Sequence, residues 1–177
     1  LLARECGVCP VYVRYNTGRH ISTNGRELAA RLQRLVRAWP VRVREIDLIG
    51  HSMGGLVIRS ACHYGRGSTM LRDRLRRRGP WPAKVKRVVL LGPCHRVAVR
   101  GLALPGTAAF ETPPGRVPSD EEAVRAIADL PQVVNFPATH AREHSLEVQL
   151  PFLQQVLREF KLLPLVVGSA SAEEVAQ

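Results

Sequence analysis

Apolar positions along the chain fall into two rhythms that alternate. Val11-Tyr12-Val13-Arg14-Tyr15 predicts a short strand, and Leu28, Leu32, Leu35, Val36 and Trp39 recur at helical spacing, with Asn24 as a cap and Pro40 as a stop. An apolar strand from Glu45 to Ile49, a helix from Gly54 to Tyr64 and a third strand, Val85 to Leu91, come next. The order β-α-β-α-β predicts an α/β fold with a mostly parallel sheet and helices on both faces. Beyond it the pattern loosens into a Pro/Gly-rich stretch, Pro105 to Pro118. A helix capped by Ser119 with Glu122 completing the box, a helix after Pro151 and a strand from Leu163 to Gly168 then follow. Leu1 to Cys6 read as the last turn of a helix, and Ser171 with Glu174 opens one more capping box.

At 177 residues and 45% hydrophobic content the chain can bury a core, and no run of eighteen apolar residues predicts a membrane span. Charge divides it. Residues 1–87 hold 19 Lys/Arg and 5 Asp/Glu, a balance of +14, whereas residues 88–177 hold 7 and 10, a balance of −3. The field of the first half could attract phosphates or an anionic membrane, and Arg72 to Arg78 is its densest run. No aromatic side chain lies in that run to stack on bases, so a solvated basic face is expected and no nucleic-acid partner. Cys6-Gly7-Val8-Cys9 has no second pair at zinc-ribbon spacing, and Cys62 falls on an apolar helical stretch, as a core residue does. This cysteine usage suits a reducing compartment and predicts a cytoplasmic protein.

The candidate chemistry starts at Gly50-His51-Ser52-Met53-Gly54, where a serine stands between two glycines at a predicted strand-to-helix change. In the G-x-S-x-G elbow the glycines allow a sharp reversal, the serine Oγ stands exposed, and the next N–H faces a developing oxyanion. Ser52 is thereby the candidate nucleophile, Met53 the oxyanion donor and His51 its neighbour on the turn. Asp120 or Asp129 with His140 or His144 has the chain order of a hydrolase acid and base. His140-Ala141-Arg142-Glu143-His144 also fits H-x-x-E-H, in which two histidines on one helix hold zinc.

Two resemblances sharpen this picture. Through Tyr15-Asn16-Thr17-Gly18-Arg19-His20, Asn24-Gly25-Arg26-Glu27-Leu28 and Gly50 to Leu56, residues 10 to about 84 resemble an α/β-hydrolase of the bacterial lipase/esterase type related to inositol deacylases. Through Leu91-Gly92-Pro93-Cys94-His95, Thr112-Pro113-Pro114-Gly115 and Glu143 to Phe152, residues from about 85 to 177 resemble the Memo family, protein B of the AmmeMemoRadiSam system. The resemblances imply two partial domains, 1–84 and 85–177, with a changeover between Val85 and Gly92.

The first resemblance implies a serine hydrolase that acts through Ser52 on a small-molecule ester or lipid, without a cofactor and impaired because its triad is incomplete. The second implies a metal- or peptide-binding protein with an extradiol-dioxygenase-like fold. In that reading His95 is a ligand to iron or copper, and Glu143 and His144 line the substrate pocket. An inactive fusion of two partial domains is the third reading. If the sheet continues across the changeover, Gly50–Gly55 and Gly92–His95 lie at the carboxyl ends of neighbouring strands, and, should Ser52 and His95 then lie close, His95 becomes a candidate surrogate base.

Overall fold

The computed structural model describes residues 8–67, 80–157, 159–171 and 173. Helix α1 spans Ile21–Ala38, strand β1 Ile46–His51, helix α2 Met53–Gly67 and strand β2 Val85–Pro93. Strand β3 (Leu102–Leu104), the hairpin β4 (Ala109–Thr112) and β5 (Gly115–Pro118), and helix α3 (Glu121–Ile127) come next. Strand β6 (Val133–Asn135), helices α4 (Pro137–Ala141) and α5 (Leu150–Val156), and strand β7 (Lys161–Val167) complete the order.

The main sheet has the order β1-β2-β7-β3-β6. The pairs β1–β2, β2–β7 and β3–β6 are parallel, and β3–β7 is antiparallel. β2 is the hinge of this arrangement, because its register binds β1 on one side (His51 opposite Leu91) and β7 on the other (Leu90 opposite Pro164). A single sheet therefore crosses from the basic half of the chain into the acidic half. Strands buried on both faces need nearly continuous apolar sequence, which Val88-Val89-Leu90-Leu91 and Leu162 to Val167 supply.

Helices cover both faces, as expected. Leu28, Ala29 and Val36 of α1, Val57, Ile58 and Cys62 of α2 and Leu150 and Leu153 of α5 pack with Val88, Leu90 and Leu162 into the larger core. On the opposite face Ala123, Val124 and Ile127 of α3 lie against Leu163, Leu165, Val89 and Leu91. The two helices of the first face approach closely at Gly25, where a Cβ would stand 2.2 Å from Ser60 Oγ. Cys62 is fully buried, as its pattern predicts, and burial pushes its thiol up to about 12. No helix among the described residues is long and apolar enough to cross a membrane.

Several local expectations are corrected. Val11 to Tyr15 joins no sheet; the segment runs without ladder hydrogen bonds and leaves Tyr12 86% exposed. Its apolar composition matched a strand, but no neighbouring strand receives it. Asn24 does not cap α1, which starts three residues earlier; its buried amide Nδ2 donates to the Asn16 carbonyl at 2.8 Å and anchors the preceding turn. Ser119 does not cap α3 either. Asp120 does, accepting from the Ala123 N–H at 3.2 Å, while the Ser119 hydroxyl donates to the Thr107 carbonyl. Within the Pro/Gly-rich stretch the turn at Gly115 (φ +125°) closes a hairpin that apolar periodicity did not announce. Leu1 to Cys6, Arg72 to Arg78 and Glu174 lie outside the described residues.

At the amino end of the sheet a chain of charges ties four elements. Arg87 on β2 donates from Nε to Asp120 at 2.5 Å and from Nη1 to Asp47 on β1 at 3.1 Å, and Lys161 on β7 lies 3.7 Å from the same Asp120. Asp120 is fully buried, so these partners and the cap offset the cost of removing its charge from water.

Candidate functional site

At the carboxyl end of β1 the chain turns within one residue. Ser52 has φ +50°, the one non-glycine residue among those described with a positive φ, and its side chain is exposed. Its N–H donates to the Leu91 carbonyl at 2.8 Å, and its carbonyl accepts from Gly55 N–H at 3.0 Å, so the bend is pinned to β2 on one side and to the start of α2 on the other. A serine in the left-handed region stores on the order of 1 kcal/mol and persists where its surroundings over-determine it. Gly50 shows why: a Cβ there would stand 2.7 Å from Ile58 Cδ1 and 2.8 Å from Gly55 N, because α2 folds back directly over the strand end. Gly54 is open by contrast, and the Tyr15 hydroxyl lies 3.8 Å from where its Cβ would be.

Met53 is the first residue of α2, so its N–H belongs to the first-turn groups that the helix itself does not satisfy. His51 alternates with buried Leu48 and Gly50 along β1 and is exposed on the side away from α2.

A second constellation lies at the end of β2. The Glu143 carboxylate accepts from the His95 N–H at 2.8 Å, faces His95 Nδ1 at 3.1 Å and accepts from the His144 N–H at 3.1 Å. Burial of Glu143 raises its pKa, but the bonds from the His95 ring, the two N–H groups and the His95 charge outweigh burial and hold it at about 2. With Nδ1 turned to a carboxylate, the imidazole presents Nε2, and the ring is more than half exposed. The segment that carries Glu143 also reaches the Ser52 bend. Cβ atoms built on Gly92 and Gly55 would meet Ser145 Oγ at 2.5 Å and Gln149 Oε1 at 2.4 Å.

Ser52 and Met53 thus follow the carboxyl end of β1, and His95, held by Glu143, follows that of the adjacent strand β2, while the other candidates lie elsewhere. His140 is buried with Nε2 at 2.9 Å from the Ala103 carbonyl, and burial pushes its pKa down. α4 ends at Ala141, so His140 and His144 do not share a helix and the zinc pattern is not formed. The His144 ring is exposed, with only its backbone in the Glu143 contact. Asp120 is bound at the amino end of the sheet to Arg87 and Lys161, and Asp129 is exposed after α3. The pairing of Glu143 with His95 spans 48 residues and had no local signal in the sequence.

No group of three His, Cys, Asp or Glu side chains among the described residues gathers to hold a metal. His95 offers one imidazole, and Cys94 beside it turns its thiol to the Val97 carbonyl. Sites for iron, copper or zinc take three or four protein ligands, so the described donor set does not fit such an ion.

Comparison with known families divides along the same chain. The model described as "Putative serine esterase (DUF676)" matches residues 12–88, and that described as "Memo-like protein" matches residues 75–177. A MEMO1 family protein of Nitrosopumilus maritimus is 40% identical over 88 residues, covering 49% of this chain and 32% of that protein. One of Aquifex aeolicus is 46% identical over 83 residues, 46% of this chain and 31% of its own length. The chain thus spans about a third of the length of these relatives. With more than half of its residues inside the match at 75–177, and a serine-esterase match ahead of it, the chain belongs to the Memo-like family.

Proposed function

We propose that the chain is a serine hydrolase of carboxylic esters, built from a partial esterase domain, residues 1–84, and a partial Memo-like domain, residues 85–177. The observation that carries this reading is the exposed Ser52 in the left-handed region between β1 and α2, next to an N–H at a helix start. Ser52 Oγ attacks the acyl carbonyl, the Met53 N–H stabilises the oxyanion, and the alcohol leaves as an acyl-enzyme forms. His95 takes the Ser52 proton at Nε2, directly or through one water, and returns it to the departing alkoxide. Glu143 fixes the ring from Nδ1, the arrangement that orients imidazole bases. Water then cleaves the acyl-enzyme by the same proton path.

The serine-esterase match over the residues that hold Ser52 supports the reading. Turnover is expected to be slow, because only one oxyanion donor is identified and each missing donor costs on the order of a hundredfold. The test is hydrolysis of short-chain p-nitrophenyl esters by the wild type, Ser52→Ala and His95→Ala. Loss of activity in both variants supports the proposal, and unchanged turnover in Ser52→Ala refutes it.

A further inference from the structure

Part of the first half's charge lies on α1 and the loop that follows it. Between Leu28 and Arg44 the chain carries five arginines, Arg31, Arg34, Arg37, Arg42 and Arg44, and no acid. All five are exposed. Leu28, Ala29 and Val36 hold the opposite side of α1 against the core, so the helix cannot roll to hide its charged side. Spacing of three residues puts Arg31, Arg34 and Arg37 within about a third of the helix circumference, and the loop after Ala38 extends the row with Arg42 and Arg44.

Arg31, Arg34, Arg42 and Arg44 make no ion pair within the described residues, whereas Arg19, on the preceding loop, is matched by Glu27 at 2.8 Å. Lys84 adds to the excess: burial first, and then the nearby Arg42 charge, lower its pKa. Within this row Val41 stands 67% exposed. Self-repelling charge lowers the stability of a fold, and an external polyanion relieves it.

We propose that the exposed arginine face of α1, with Val41, docks the protein onto an anionic phospholipid surface. Guanidinium groups match phosphate oxygens bidentately, and clustered basic side chains each add to attraction toward an anionic leaflet. Val41 supplies the apolar contact that a bilayer rewards and a nucleic-acid backbone does not. The face presents no fully exposed aromatic ring to stack on bases. This surface lies on the helix exterior and stands independently of any chemistry at Ser52.

Co-sedimentation of the full chain with phosphatidylcholine vesicles, with and without a third of phosphatidylglycerol, tests the assignment. Binding only to the anionic vesicles, reversed by high salt, is expected. Replacement of Arg31, Arg34, Arg42 and Arg44 together by Gln should weaken it at least about tenfold with an unchanged circular dichroism spectrum. Replacement of Arg116 and Arg125, which pair with Glu111 and Glu121, should leave it intact. Equal affinity for both vesicle types, retention of binding by the fourfold variant, or tighter binding to a DNA oligonucleotide than to anionic vesicles at equal phosphate overturns the proposal.

Discussion

Glu143 accepts hydrogen bonds from both the backbone N–H and the ring of His95, at 2.8 and 3.1 Å, across 48 residues of sequence. The side chain is 2% exposed, so its charge stays in the fold only because those donors and the His144 N–H replace water. Its pKa falls from 4.5 to about 2, a depressed carboxylate. A group of this kind contributes stability that is complete above its unfolded value and is lost as pH falls through its folded value. Glu143→Gln should cost about 1–3 kcal/mol at neutral pH, and should flatten the loss of stability that the wild type shows between pH 4.5 and about 2. Urea denaturation at a series of pH values measures both.

Asp120 carries the corresponding load at the other end of the sheet. Burial raises its pKa, but the Arg87 bond, the Ala123 N–H and the charges of Arg87 and Lys161 bring it below the ordinary carboxylate value. Removing its charge leaves Asp47 as the one carboxylate that faces Arg87 and takes the counter-charge from Lys161. Asp120→Asn is expected to destabilise by about 3 kcal/mol. Because Arg87 links β1, β2 and α3, the melt should remain a single transition, and calorimetry that instead resolves two would contradict the continuity of the sheet.

The Ser52 bend can be tested through its backbone alone. Glycine reaches φ +50° without the clash of a Cβ, whereas a β-branched side chain there is severely strained. Ser52→Gly should be at least as stable as the wild type, and Ser52→Val less stable by about 1–2 kcal/mol. The opposite order in thermal denaturation would place the residue in ordinary backbone.

The close approach of α1 and α2 depends on Gly25. An added methyl would lie 2.4 Å from Ser60 Cβ and 2.9 Å from its backbone carbon, and neither can rotate away. Gly25→Ala should therefore cost about 2 kcal/mol, outweighing the helix propensity that alanine adds. The paired variant Gly25→Ala with Ser60→Gly should recover part of the loss.

What the sequence disclosed were features with a local cause. The helical spacing of Leu28, Leu32 and Val36, the apolar runs at Val85 to Leu91 and Leu163 to Gly168, and the glycines around Ser52 all act within a few residues, and each lies in the expected element. Caps shifted by one to a few residues because Asn24 and Ser119 found tertiary partners, the Asn16 and Thr107 carbonyls, that outcompete a helix end. Val11 to Tyr15 had strand composition, but a strand needs a neighbour. The candidate site was half legible. Ser52 announces itself by its flanking glycines, whereas the union of His95 with Glu143 is made by β2 and the segment before α5, which no window of sequence contains.

The proposed hydrolase requires Ser52 to be an accessible nucleophile at its strained turn. Treatment of the folded protein with a fluorophosphonate, followed by peptide mass spectrometry, measures this directly. An adduct on Ser52, lost in Ser52→Ala and slowed in His95→Ala, is the predicted result; a folded chain that leaves Ser52 unmodified, or that labels equally well after Ser52→Ala, contradicts it.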